Sequence, residues 1–234
     1  MKEMQNKIKE YFKELQFDAQ KHSYEVRGKP LTSVSKTIHK YVEKVDFDKI
    51  AGFVAKKRGI TKAEVLAEWE AKKIASCNQG TLVHTFGENY NGMQKPTNGF
   101  EEAIVKFWDN IPDYIEPFLF ELQMFSEELG IAGTSDIILF NRKTGKFIIA
   151  DYKTNEDLFK NYKGKTLLEP FEDLLDSPYN KYQLQLSMYQ LLFEQCGFEV
   201  ESRRIIWLKP NGVYENFKTE DLTQKLLKEL TNKN

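Results

Sequence analysis

The stretch IAGTSDIILFNRKTGKFIIADYKT (residues 131–154) predicts two β-strands joined by a tight turn. Residues 132–140 and 147–154 are rich in Ile and Phe, which favour strands. Between them, residues 142–145 read Arg-Lys-Thr-Gly, and the glycine can take the positive φ that a tight turn needs. We therefore expect a β-hairpin at the centre of the fold.

Three charged residues interrupt these apolar strands: Asp136, Asp151 and Lys153. Because successive strand residues face opposite sides, Asp151 and Lys153 point the same way, and the hairpin can bring Asp136 beside them. A buried carboxylate is unfavourable unless it is paired or bound to a cation. The arrangement fits a hard divalent cation with a lysine beside it. Cross-strand ion pairs on a solvated face would explain the same residues without a site.

Composition predicts one ordinary globular domain. The chain has 234 residues, 41% of them hydrophobic and 29% charged, and no run approaches the roughly 20 apolar residues of a membrane span. Its two cysteines, Cys77 and Cys196, imply no disulfide framework, which favours a reducing, cytoplasmic setting. A formal net charge of −1 disfavours a broad DNA-coating face but is compatible with local clusters of lysine.

Periodicity, turn residues and caps predict the remaining elements. Helices are expected at residues 1–16, 35–42, 45–59, 61–77, 100–111 and 179–194, with caps at Ser35 and Thr61, and a last helix is expected after a cap at Thr219. The helix that begins at Thr61 is expected to kink at Gly80 and to resume through residue 89. Strands are expected at residues 22–26, 30–33, 117–128, 200–209 and 213–217. This order predicts an α+β or α/β fold around a mixed sheet. We divide the domain, residues 1–234, into a mainly helical part (1–78), a core (79–217) and a C-terminal helix (218–234). His22 and His39 match no pattern and are expected at the surface.

A second group of candidate residues lies in GTLVHTFGE (residues 80–88), within a predicted helix. His84 and Glu88 are four residues apart and therefore share a helix face. Histidine nitrogen and glutamate oxygen are both ligands for a divalent ion. On chemistry alone, a hydrogen-bonded His84 beside a solvated Glu88 explains the pattern better.

A third group lies on the helix predicted after the hairpin. Gln185 and Tyr189 are four residues apart on one face, where they can bind phosphate or base edges and Tyr189 can stack on a base. Tyr182 and Gln183 lie nearby and can share this role. An amphipathic helix with its tyrosine in the core is the alternative.

These motifs together resemble the PD-(D/E)XK nuclease superfamily. Asp136 followed by Asp151-Tyr152-Lys153 resembles its signature, and "GTSD" with "ADYKT" is most similar to the RecB-type exonuclease branch. "GTLVHTFGE" resembles that branch's G-T-x-x-H-x-x-x-E element, and Gln185 to Tyr189 its Q-x-x-x-Y motif. The N-terminal third is similar to the head of phage-type and mitochondrial single-strand exonucleases of the branch. The resemblance covers roughly residues 20–210 and implies a restriction-endonuclease-like α-β-β-β-α-β core.

The resemblance also implies a role for each candidate residue. Catalytic residues would be Asp136, Asp151, Lys153, His84 and Glu88; metal ligands would be Asp136, Asp151, the carbonyl of Tyr152, His84 and, at a semi-variable acidic position, Glu121; DNA-binding residues would be Gln185, Tyr189, Tyr182 and Gln183. Lys153 would orient the attacking water and stabilise the transition state. Glu121 is also explained as a plain solvent-facing strand residue.

The activity that the resemblance implies is that of a deoxyribonuclease dependent on Mg²⁺ or Mn²⁺, acting from a free, single-stranded DNA end. Members with an iron–sulfur cluster carry four cysteines, so no cluster is expected in this chain. The helicase modules of large RecB proteins are missing, so a helicase or single-strand-binding protein is an expected partner, and no membrane is. A phage or mobile-element origin, in a bacterial host cytoplasm, would fit. A sequence- or structure-specific endonuclease and an inactive nucleic-acid-binding module stay open as alternatives.

Overall fold

The computed structural model describes residues 1–21 and 23–232, so His22 lies outside the described residues. The helices are α1 (Lys2–Tyr11), α2 (Val34–Ile38), α3 (Phe47–Arg58), α4 (Lys62–Asn89), α5 (Gly99–Asp109), α6 (Pro178–Glu194) and α7 (Thr223–Thr231), with a 3₁₀ turn at His39–Tyr41. The strands are β1 (Leu15–Asp18), β2 (Ser23–Val26), β3 (Lys29–Ser33), β4 (Ile115–Ser126), β5 (Ile131–Asn141), β6 (Lys146–Lys153), β7 (Val200–Leu208) and β8 (Tyr214–Lys218).

The described strands form one eight-stranded sheet of mixed orientation. Its order is β1-β2-β3-β5-β6-β7-β8, and β4 also pairs with β5. β3 runs parallel to β5 and β6 runs parallel to β7, while the other pairs are antiparallel. The parallel β6–β7 pair is connected through α6, as a crossover between parallel strands requires. The predicted hairpin is therefore confirmed as β5 and β6 at the centre of an α+β fold.

Helices cover both faces of the sheet because its central strands are apolar on both sides. On one face, Ile138 and Ile149 pack into a core with residues of α1, α2, α6 and α7. On the other face, Ile137 and Ile148 pack with residues of α5 and the C-terminal turns of α4. The site described below lies between these two layers, where β5 and β6 separate.

Four boundaries differ from the sequence-based expectation. The first helix ends at Tyr11, because the following residues pair with β2 as strand β1. Ser33, rather than Ser35, caps α2, since its hydroxyl accepts the backbone N–H of Lys36 at 3.2 Å. Thr219 is buried and caps no helix; α7 begins after Asp221, whose carboxylate accepts the Thr223 N–H at 2.9 Å.

The fourth difference is at Gly80, where the helix continues without a break as part of α4. A single glycine costs a helix only about 1 kcal/mol. The capping box of Thr61 and Glu64 and the packing of the last turns on the sheet outweigh that cost. The boundary expected between residues 78 and 79 therefore lies inside α4, and the N-terminal part contributes strands β1, β2 and β3 as well as helices.

None of the helices in the described part of the chain combines the length and the apolar character that crossing a bilayer requires.

Candidate metal centre

The candidate site lies where β5 and β6 separate. The two strands pair over Ile137–Asn141 of β5, and β3 pairs with the start of β5 at Ile131 and Ala132. Asp136 occupies the gap between these two stretches. Its Oδ2 accepts the backbone N–H of Tyr152 at 3.0 Å, so the side chain takes the place of a ladder hydrogen bond. This contact fixes the first carboxylate in the plane of the sheet.

Glu121 lies on β4, which pairs with β5 on the edge opposite to β6. Pairing with β4 is continuous from Leu122 to the end of that strand and resumes at Phe120, leaving Glu121 out of the ladder. The residue has φ of +47°, a left-handed conformation that is costly for a side chain with a Cβ. Such strain, about 1–3 kcal/mol, persists only where the surrounding structure imposes it. Its effect is to turn the Glu121 carboxylate towards the site.

The last turns of α4 bring His84 to the same place. Gly87 permits the close approach, because a Cβ there would lie 2.5 Å from the ring of Tyr152. One turn earlier, His84 Nδ1 lies 3.4 Å from Asp136 Oδ2 and 3.8 Å from Glu121 Oε1. Ligand atoms of these three residues lie within 4.8 Å of one another, close enough to hold one metal ion.

Asp151 and Lys153 extend the group along β6. Asp151 is 1% exposed, and its Oδ2 contacts Lys153 Nζ but has no hydrogen-bond donor of ordinary geometry among the described residues. The Lys153 ammonium also lies 4.4 Å from the ring centroid of Tyr182. The Tyr182 hydroxyl donates to Asn155 Oδ1 at 2.8 Å, which fixes the ring over the lysine.

Mutual attraction keeps most of these groups charged despite their burial. Burial alone would lower the pKa of His84, but Asp136 and Glu121 raise it to about 10. Burial alone would raise the pKa of Asp136, but His84 and Lys153 hold it below its ordinary value. Burial, and then the charge of Asp136, raises the pKa of Asp151 to about 6. Burial alone would lower the pKa of Lys153, but Asp151 and Asp136 keep it above its usual range. A bound divalent cation would relieve the repulsion between the two aspartates.

A cavity of about 590 Å³ gives access to this group. His84, Glu121, Asp136, Asp151 and Lys153 line it, together with Gln185 and Tyr189 from α6. Gln185 Nε2 donates to the Tyr189 hydroxyl at 2.9 Å. Gly133, the glycine of the "GTSD" motif, permits the Tyr189 ring to lie against β5, because a Cβ there would be 2.7 Å from that ring.

The structure thus brings together nearly all of the residues singled out from the sequence, but the burial and hydrogen bonding of some of them differ from what their expected roles require. Tyr189 is 5% exposed with its hydroxyl hydrogen-bonded, so its ring is a wall of the cavity rather than an open stacking surface. Glu88 is exposed and lines a neighbouring cavity of about 460 Å³ with His84 and Glu121. His39 is exposed, as expected.

Gln183 is placed differently from our expectation of a DNA contact. Its side chain is buried, its Nε2 donates to Asn180 Oδ1 at 2.8 Å, and its Oε1 accepts the Glu220 N–H at 2.9 Å. Its amide therefore connects α6 to the segment before α7. Gln183 and Gln185 lie on different sides of the helix, because residues two apart are about 200° apart around it.

Sequence reasoning included Glu121 among the predicted metal ligands, but it missed the backbone conformation of that residue and the role of Asn155. Nothing in the sequence marks the left-handed backbone of Glu121, which arises from the pairing of β4 with β5. Asn155 was also missed, although it accepts the Tyr182 hydroxyl and its backbone carbonyl accepts the indole N–H of Trp207 at 2.7 Å. Its position two residues after Lys153 was the signal available.

Comparisons with known proteins add little to this geometry. No family model matches the chain, and no curated protein matches it. Among solved structures, the crystal structure of SSO0001 matches with a TM-score of 0.33 and 15% sequence identity, over 85% of this chain and 81% of that chain. A TM-score this low does not establish a shared fold or function.

Proposed function

We propose that this protein is a metal-dependent deoxyribonuclease that hydrolyses phosphodiester bonds from a free, single-stranded DNA end. The observation that carries the proposal is the convergence of His84, Glu121 and Asp136 beside the buried pair of Asp151 and Lys153 in one cavity. The order α5, β4, β5, β6, α6, β7 supports the finer assignment to a restriction-endonuclease-like core.

The residues present fit a hard divalent cation such as Mg²⁺ or Mn²⁺. Carboxylate oxygens of Asp136 and Glu121, with a nitrogen of His84, form a donor set that such ions accept, and Asp151 stays a predicted further ligand. Asp151 Oδ2, buried without an ordinary hydrogen-bond donor among the described residues, fits a ligand position as well. The carbonyl of Tyr152 stays a predicted ligand. A bound cation would act as a Lewis acid on the phosphoryl oxygen.

Other residues of the cavity supply charge stabilisation and contacts to the DNA strand. Lys153 carries its proton at neutral pH because two carboxylates raise its pKa, so its ammonium can stabilise charge that develops on the phosphoryl oxygens. The Tyr182 ring and Asp151 hold that ammonium at one place. Gln185 lines the same cavity and can donate to a phosphate of the strand once its bond to Tyr189 opens. Glu88, exposed on the rim, stays a predicted contributor.

Burial of the catalytic groups favours a single strand as substrate. Asp151 is 1% exposed and the Lys153 side chain 14% exposed, so a scissile phosphate must enter the recess to reach them. A flexible single strand can bend into such a recess, whereas a duplex with a persistence length of about 150 base pairs resists it. A free end enters most easily, because no strand has to be looped in.

The test is a time course on end-labelled linear single-stranded DNA, a circular single strand of the same sequence and a blunt duplex, each with Mg²⁺ and with EDTA. We expect linear single strands to shorten progressively in Mg²⁺ while circles persist and EDTA stops the reaction. Rapid cutting of circles would show an endonuclease. Binding without cleavage under every metal condition would show a nucleic-acid-binding module, and faster digestion of the duplex would overturn the single-strand preference.

A further inference from the structure

A third cavity, of about 500 Å³, lies beside the candidate metal centre and has no part in the roles assigned above. Two aromatic side chains, Phe100 and Trp207, line it together with the amide side chains of Asn155 and Asn211 and, from α4, Lys72 and Ser76. We propose that this cavity receives one nucleobase of the bound DNA strand, next to the nucleotide at the metal centre. The inference rests on the proposed function and adds a base-binding subsite to it.

The lining fits a nucleobase better than a phosphate. Aromatic rings stack on any base, and amide side chains can hydrogen-bond to base edges. The lysines on the wall are partly neutralised: Lys72 Nζ lies 3.9 Å from Glu156, and Lys209 forms an ion pair with Glu215. A neutral ligand with a flat apolar face and polar edges therefore matches the chemistry of the cavity.

The walls are held in place by contacts that leave little freedom. The Trp207 indole N–H donates to the Asn155 carbonyl at 2.7 Å, and Lys209 Nζ lies 4.4 Å from its ring centroid. On the other side, Gly99 allows the start of α5 to meet the β7–β8 turn, because a Cβ there would be 1.9 Å from the Pro210 carbonyl oxygen. The position of Phe100 beside that turn is thus fixed by backbone packing. A preformed cavity of this kind binds without a cost of ordering its walls.

The cavity continues towards the metal centre. A smaller cavity of about 350 Å³ is lined by His84 and Lys153 and also by Ser76 and Asn155, which line the proposed base subsite too. Asn155 follows Lys153 by two residues, a backbone distance of at most about 7 Å. A strand whose phosphate lies at Lys153 therefore has a neighbouring nucleotide within reach of Phe100 and Trp207.

The test is an abasic scan. Single-stranded oligonucleotides that each lack one base, at successive positions from the end, are titrated onto the protein by fluorescence anisotropy, with Ca²⁺ in place of Mg²⁺ to limit cleavage. We expect one position to weaken binding about 5- to 150-fold, the range that loss of one base–aromatic stack produces, while its neighbours change affinity little.

The variant Ser76→Trp fills the cavity from an exposed position of α4 and so leaves the core intact, with Ser76→Ala as its matched control. In Ser76→Trp, the affinities for the different abasic oligonucleotides should lie within about twofold of one another. In Ser76→Ala, the one sensitive position should remain. Phe100→Leu should reduce the effect at that position, and Tyr11→Leu, an exposed aromatic on α1, should not.

The outcomes separate this inference from the proposed function. A flat abasic profile on a protein that binds and cuts DNA, or a profile that Ser76→Trp leaves unchanged, would overturn the base subsite alone. A protein that binds no oligonucleotide in Ca²⁺ and cuts none in Mg²⁺ would overturn the proposed function and the subsite with it.

Discussion

The gap between β5 and β6 and the pair of helices α3 and α4 distribute polarity in opposite ways. At the gap, the charged residues Asp136 and Asp151 are buried. On α3, Phe47 and Phe53 are 63% and 65% exposed, and of the 28 residues of α4, all of them described, three are buried.

The difference shows that the fold keeps charged groups buried at the candidate site, although burying charge is unfavourable. Burying charge is unfavourable unless partners compensate it, and at the gap His84 and Lys153 do so. Exposed phenylalanines cost little but also stabilise little, since the cluster between α3 and α4 has only small or medium-sized buried members, Ala51, Ala55 and Val65. We therefore expect changes at the gap to affect activity strongly, and changes on α3 to affect stability weakly.

The largest effect is expected for Asp151→Asn, which keeps the size of the side chain and removes its charge. Because Asp151 is a predicted ligand, the rate of cleavage should fall about a thousandfold, the upper end of the range for losing one electrostatic contribution. Calorimetry should also show weaker binding of Mg²⁺. Asp157→Asn, an exposed carboxylate just after β6, is the control and should leave both unchanged. Unaltered metal affinity in Asp151→Asn would show that Asp151 is not a metal ligand.

Lys153→Met should have the next largest effect. Loss of the ammonium should lower turnover about 10²- to 10³-fold, while the dissociation constant for single-stranded DNA in Ca²⁺ stays within about threefold, because the contact is made in the transition state. Lys160→Met, an exposed lysine in the following loop, should change neither quantity. If affinity falls as much as turnover, Lys153 is a phosphate contact in the ground state.

The sequence predicted the apolar hairpin well, because strand periodicity, turn chemistry and β-propensity all agree in residues 131–154. His84 and Gln185 were singled out by their resemblance to family motifs, and both line the cavity that Asp136 also lines. Two features lay beyond the sequence. The strained backbone of Glu121 depends on the pairing of β4 with β5, and the continuity of α4 through Gly80 depends on packing at its far end.

A smaller effect, in stability, should distinguish two glycines in the C-terminal half of α4, Gly80 and Gly87. Gly87→Ala places a methyl group 2.5 Å from the Tyr152 ring, so we expect the free energy of unfolding to fall by about 1–3 kcal/mol. Gly80→Ala meets nothing within 4 Å, and the gain in helix propensity should raise it by about 0.5–1 kcal/mol. Urea denaturation of both variants measures the difference. Equal effects would mean that the last turns of α4 do not pack closely on the sheet.

The smallest effect is expected on α3. Phe53→Ala should change the free energy of unfolding by no more than about 0.5 kcal/mol, because the ring is 65% exposed and removal leaves no cavity. Phe147→Ala is the contrasting variant: this ring is 1% exposed and lies 4.9 Å from the ring centroid of Phe118, so about 3–5 kcal/mol should be lost. Urea denaturation again gives both values. A loss of 2 kcal/mol or more at Phe53 would mean that its ring is covered in solution, and the contrast between buried charge at the gap and exposed apolar surface on α3 would then no longer hold.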